Sequence, residues 1–101
     1  MPSETHTRYV IFLTKFHKED TPQPLVQAHV QYLKNLEEKD RLVLAGPYAD
    51  NSGGMVMIKA DNIETAIEIA REDPFVKSGS RSFEVNALLL ACKENNYLDL
   101  A

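Results

Sequence analysis

Five large apolar residues in a row, Tyr9-Val10-Ile11-Phe12-Leu13, limit what this chain can become more than any other feature. The run is too short, and too rich in branched and aromatic side chains, for a helix, and reads as a strand. Successive side chains of a strand point to opposite faces, so Tyr9, Ile11 and Leu13 share one side and Val10 and Phe12 the other. A strand that is apolar on both sides needs cover on both faces of its sheet.

The remaining punctuation is regular. Thr21-Pro22-Gln23-Pro24 suits the entry to a helix, because proline is tolerated at a helix start and not inside. From Pro24 on, Val26, His29, Val30, Leu33 and Leu36 recur at helical spacing, with Gln27, Gln31, Lys34, Asn35 and Glu38 on the other side. Leu42 to Ala45 is a second strand, closed by Gly46-Pro47. The turn-forming stretch Asp50-Asn51-Ser52-Gly53-Gly54 leads into a third at Met55 to Ile58. Asp61 and Glu64 have the spacing of a capping box, and Ile63, Ala66, Ile67 and Ala70 mark one face of a second helix that Asp73 extends. Pro74 interrupts it, and Phe75 to Gly79 reads as a single turn. A fourth strand is predicted from about Ser82 to Cys92, through Phe83, Val85, Ala87 and Leu88-Leu89-Leu90.

Strand, helix, strand, strand, helix, strand is the ferredoxin-like βαββαβ order, an α+β fold with both helices on one face of a four-stranded antiparallel sheet. With 101 residues the chain has room for one such domain, 1–101, with its core at about 8–93 and a tail at 94–101. The face without helices is apolar in strand one and again at Leu88 to Leu90. A second copy of the chain is expected to cover it, as a homodimer or within a larger assembly.

The formal charge of −4 comes from 11 basic and 15 acidic side chains, with neither sign in a block. This argues against nucleic acid or an anionic membrane as partner. No stretch approaches the length of a transmembrane helix, and the first residues lack a secretory pattern. The single Cys92 offers neither a disulfide nor a metal-binding pair, and reads as a small buried hydrophobe. The expected location is the cytoplasm.

Two residues are odd for their positions: His29 in the apolar stripe of helix one, and Asp73 at the end of that of helix two. Both helices lie on the same side of the sheet. A histidine can move a proton near physiological pH, and an adjacent carboxylate can fix its tautomer and support its charged form. Such a pair needs no cofactor and no metal. The structural alternative is equally concrete: Asp-Pro is a common helix start, which makes Asp73 a cap and His29 a core residue. Both readings stand at this level.

The segments Ala28-His29-Val30-Gln31-Tyr32-Leu33, Arg41-Leu42-Val43-Leu44-Ala45-Gly46-Pro47 and Glu72-Asp73-Pro74-Phe75-Val76 with Gly79 together resemble the YciI-like (YCII) family, in order and spacing, across roughly Arg8 to Lys93. The resemblance implies a ferredoxin-like dimeric α/β barrel with a His/Asp pair in a pocket, carried here by His29 and Asp73. It implies no specific activity, although one branch of the family eliminates chloride from a chlorinated hydroxyhydroquinone without a cofactor. The sequence departs from the family at Asp40, where glycine is frequent, and in its tail from Glu94 to Ala101.

If the chain is an enzyme of a small molecule, His29 is the general acid/base and Asp73 the group that orients it, in a lyase or isomerase type of reaction. Tyr48, with Gly46 and Pro47, is the candidate for a substrate-binding wall, or else a half-exposed hairpin aromatic. Lys77 and Arg81 beside the Asp-Pro turn read as solvated charges with an option on an anionic substrate. His6 and His17 have no assigned role. The alternative function is a non-catalytic, ligand-binding or regulatory dimer. An RNA-binding domain on this fold is disfavoured, because Leu88-Leu89-Leu90 stands where such domains display basic and aromatic residues.

Overall fold

A computed structural model of the chain describes residues 6–100. The sequence reading of Met1 to Thr5, and of Ala101 at the end of the tail, lies outside the described residues. The elements follow in the order β1 (Thr7–Lys15), α1 (Gln23–Glu38), β2 (Leu42–Pro47), β3 (Gly53–Ile58), α2 (Ile63–Arg71), α3 (Pro74–Lys77) and β4 (Arg81–Leu89). A 3-10 segment, Lys93–Asp99, follows. The sheet is antiparallel throughout with strand order β2-β3-β1-β4, the ferredoxin-like arrangement.

The branched run of β1 occupies the centre of the sheet, pairing with β3 from Tyr9↔Ile58 to Thr14↔Gly53 and with β4 from Thr7↔Leu89 to Lys15↔Arg81. Tyr9, Ile11 and Leu13 face the helices. They form the core with Val56, Ile58, Leu36, Ala66, Ala70 and Phe75. The alanines of α2 are completely buried, which allows that helix to approach the sheet closely.

On the opposite face the register aligns Val10 with Met57 and Phe12 with Met55, and Leu44 joins them from β2. Leu44 and Leu88 are exposed. The expectation of an apolar face is met across β1, β2 and β3 but not across β4. There Ser82, Glu84 and Asn86 share that face and only Leu88 is apolar. Leu89 ends the strand, so Leu90 and Cys92 fall outside it, and Cys92 is half-buried and not part of the core.

Local chemistry accounts for the boundaries. β3 opens on Gly53, whose φ is +157°, where a Cβ would collide with the carbonyl oxygen of Leu13. The cap of α2 is Asn62 and not Asp61: its side chain accepts from the N–H of Thr65 at 2.8 Å. The amide is one residue closer to the first turn, so it reaches the orphan donor that Asp61 cannot. α1 ends in a Schellman pattern, in which Arg41 N–H donates to Leu36 O and Asp40 N–H to Glu37 O. Asp40 takes the left-handed conformation, φ +57°, that this motif requires. The turn that glycine would make is therefore kept, since aspartate is among the residues that tolerate that region. In the tail, Asn95 accepts from Cys92 N–H and donates to Leu90 O, while Tyr97 and Leu100 are exposed.

Tyr32 ties the two long helices together by donating to Ile69 O at 2.6 Å. Burial first, then the negative charges of Asp73 and Glu72, push its hydroxyl far above the ordinary phenol range. The folded state therefore keeps a proton that the unfolded chain loses above its ordinary value of 10.0. The resulting stability is fully present below that pH and is lost as pH rises beyond it. Tyr32→Phe is expected to cost about 1 kcal/mol at neutral pH and to flatten the alkaline decline, measured by urea denaturation across the range. At the end of α1, Asp40→Gly is expected to be neutral or stabilising by up to about 1 kcal/mol. Asp40→Val, β-branched at a positive φ, is expected to destabilise by about 1–2 kcal/mol in the same assay.

Candidate active site

Asp73 leaves α2 two residues after its last helical residue and caps α3, accepting from the backbone N–H of Phe75 at 2.9 Å with Oδ1. Proline at the first helical position holds the short turn behind it. The structural reading of Asp73 as a cap is thus correct, and the cap leaves room for a contact with His29. The same Oδ1 lies 2.8 Å from Nδ1 of His29, 44 residues earlier in the chain. The helix-one histidine and the Asp-Pro carboxylate meet because α1 packs directly against α3.

Asp73 is 1% exposed, and the His29 side chain is 13% exposed. Oδ1 already accepts the Phe75 N–H, so Nδ1 of His29 is the donor in the pair. In the neutral ring this leaves the lone pair on Nε2, which has no hydrogen-bond partner among the described residues. The other carboxylate oxygen, Oδ2, is buried and also without a partner among the described residues.

The imidazole is held flat. It stacks on Phe75 with ring centres 4.0 Å apart and planes inclined by 13°, and lies 6.0 Å from the Tyr32 ring on its own helix. On the ring of Phe75 the guanidinium of Arg81 also stacks, 4.2 Å from its centre. Arg81 is buried, donating to Thr21 Oγ1 at 2.9 Å and to Ser80 Oγ at 2.6 Å. Burial lowers its ordinarily very high pKa, and the charge of Asp73 works in the opposite direction. Chemically, the arrangement offers a ring nitrogen oriented by a buried acid, able to take a proton and return it. Among the described residues no group of three or more His, Cys, Asp or Glu side chains could hold a metal ion.

The other site candidates are not joined to this pair. Gly46 and Pro47 end β2 and Tyr48 follows at the hairpin, all three exposed. Tyr48 N–H donates to Gly53 O, and among the described residues no hydrogen bond or ring contact links Tyr48 to His29 or Asp73. Lys77 is exposed and pairs with Glu72. The reading of Arg81 as a solvated charge is corrected by its burial against Phe75. Its strand position carries no sequence signal for that, since it depends on where α3 puts the phenyl ring. Tyr32 was readable: three residues after His29, it shares that face of α1.

Comparison with known proteins bears on the family and the fold. The YCII-related domain matches residues 7–88. The uncharacterized protein YjpA of Bacillus subtilis (strain 168) is 35% identical over 77 residues, spanning 76% of this chain and 91% of that protein. Among solved structures, 5-chloro-2-hydroxyhydroquinone dehydrochlorinase (TftG) from Burkholderia phenoliruptrix AC1100, in complex with 2,5-dihydroxybenzoquinone, superposes with a TM-score of 0.58. It is 20% identical, over 78% of this chain and 90% of that one, and shares the fold. No described helix is long and apolar enough to cross a membrane. With most of its length matched by the domain, and a relative of nearly the same extent, this chain belongs to the YCII-related domain family.

Proposed function

We propose that the chain is a cofactor-independent enzyme of a small molecule, in which Nε2 of His29 takes and returns a proton and Asp73 positions the ring. The observation that carries this reading is the 2.8 Å bond from Nδ1 to a carboxylate that is 1% exposed. A cap alone needs the Phe75 contact and gains nothing from a histidine. A lyase-type reaction suits the pair: the base removes a proton from carbon or oxygen, the leaving group departs as an anion, and the imidazolium is stabilised by Asp73. The dehydrochlorinase that shares the fold makes chlorinated hydroxyquinols the first compounds to try. In this reading Tyr48, with Gly46 and Pro47, walls the substrate. Pro47 pairs with Gly54, which in turn faces Leu13, so these residues lie at the end of the sheet from which β1 leads towards α1.

The apolar face of Val10, Phe12, Leu44, Met55 and Met57 is, in the same reading, the surface of a homodimer in a reducing cytoplasm, where Cys92 stays a thiol. Exposed Leu44 and Leu88 lie at its two sides, on opposite edge strands.

Two experiments test this. A panel of chlorinated and hydroxylated aromatics is followed for chloride release. Wild type is expected to turn over at least one compound, His29→Gln to lose about 10²- to 10⁴-fold in kcat, and Asp73→Asn to lose activity while keeping the cap and the fold. A compound that binds, with no turnover in any variant, would make the site a binding module instead. Separately, light scattering at micromolar concentration is expected to give about twice the chain mass of 11.4 kDa. The double substitution Leu44→Glu, Leu88→Glu is expected to return the monomer mass. A wild-type monomer would rule out the dimer.

A further inference from the structure

Lys15 and Arg81 are direct partners across β1 and β4. Both lie on the helix side, in line with Tyr9, Ile11 and Leu13, so two like charges face each other where the sheet is covered. Such a pairing is unfavourable by itself. Arg81 is 9% exposed, and Nζ of Lys15 is buried without any hydrogen-bond partner among the described residues. The ion pairs there, His29–Asp73, Lys59–Asp40 and Lys77–Glu72, involve neither cation. A buried ammonium without an acceptor is costly, which makes Lys15, set against a second cation, a feature that calls for a partner.

Both cations line one cavity of about 260 Å³ together with the hydroxyl-bearing Thr21, Ser78 and Ser80. A third source of positive potential converges on it. α1 starts behind Pro22, which supplies no side-chain cap, its first turn holds no acidic residue, and Pro22 and Leu25 line the cavity. The start of this 16-residue helix therefore presents its dipole, and the N–H of Gln23, uncompensated. Glu19 and Asp20 also line the cavity, but as exposed side chains that pair with neither Lys15 nor Arg81.

We propose that this cavity binds a small oxyanion, the carboxylate or phosphate group of a small molecule, held between Lys15, Arg81 and the start of α1. The planar guanidinium provides a forked donor and the ammonium a point charge, with the hydroxyls completing the shell. The site is distinct from the dyad but shares a wall with it. The imidazole lies 4.0 Å and the guanidinium 4.2 Å from the centre of the Phe75 ring, heights that two stacked groups can hold only on opposite faces. The oxyanion site stands without any catalytic role for His29.

The test titrates the full chain with inorganic phosphate and, separately, with benzoate, at constant ionic strength, following the backbone amides of Gln23, Ser78, Ser80 and Arg81 by NMR. Saturable shifts at these amides are expected with at least one probe, and the tighter one tells phosphate from carboxylate recognition. Lys15→Met and Arg81→Gln are each expected to weaken binding by about tenfold or more, and His29→Gln to change it less than about twofold. Lys15→Met removes an unpartnered buried charge and is expected to melt no lower than wild type, so its loss of binding is not a loss of fold. Shifts that do not saturate with either probe, or binding that Lys15→Met leaves unchanged, would overturn the proposal.

Discussion

The structure turns on a single carboxylate oxygen. Oδ1 of Asp73 accepts both from the first turn of α3 and from the imidazole of α1, and so fixes the corner after α2 to a helix from the other half of the chain. A buried acid with one oxygen unpartnered among the described residues is a poor device for stability, because desolvating the charge cancels much of what its hydrogen bonds return. Two apolar residues of the same volume would hold α1 and α3 together at lower cost. What the acid adds is orientation: one tautomer of His29, one ring plane, and a charge waiting beside it. The flat stack on Phe75 completes this by removing the ring's freedom to rotate.

Phe75 also divides the electrostatics of this end of the fold. The imidazole stacks on one side of its ring and the guanidinium on the other, with Lys15 and the uncapped start of α1 lining the cavity that Arg81 shares. Among the described residues Asp73 and Arg81 form no direct ion pair; the acid pairs with His29 and the guanidinium stacks on Phe75. Asp73 is spent inside the chain, on His29 and the Phe75 N–H, and its charge still reaches the Arg81 guanidinium.

The element order, the helix side of the sheet and the His/Asp pair were legible in the sequence because each rests on periodicity or on punctuation by proline and glycine. Pro24, Pro74 and Gly53 act locally, and local chemistry can be read from neighbours. The parts that were not legible depend on register. Leu88 to Leu90 look apolar as a string, yet the pairing of Phe12 with Glu84 and Val10 with Asn86 gives β4 a polar outer face. Arg81 looks like any charge beside a turn until Phe75 is placed over it. Asp40 looked like a departure from the family's turn, but its backbone adopts the conformation glycine would have supplied. The Asn62 cap was missed by one position, as a pattern match cannot decide between neighbouring polar residues when only one reaches the free N–H.

The strand order has a temporal consequence. The central strand β1 is synthesised first, and one of its two neighbours, β4, last. Until β4 has left the ribosome, one edge of β1 has no partner, and Arg81, Ser80 and the end of the Asp73 corner are not in position. Closure joins residues as far apart as Thr7 and Leu89, so the loop-closure entropy of nearly the whole chain is overcome in one late step. The nascent protein thus carries the apolar run of Tyr9 to Leu13 incompletely covered for most of its synthesis, and the cross-strand pair of Lys15 and Arg81 comes into being only with the final strand.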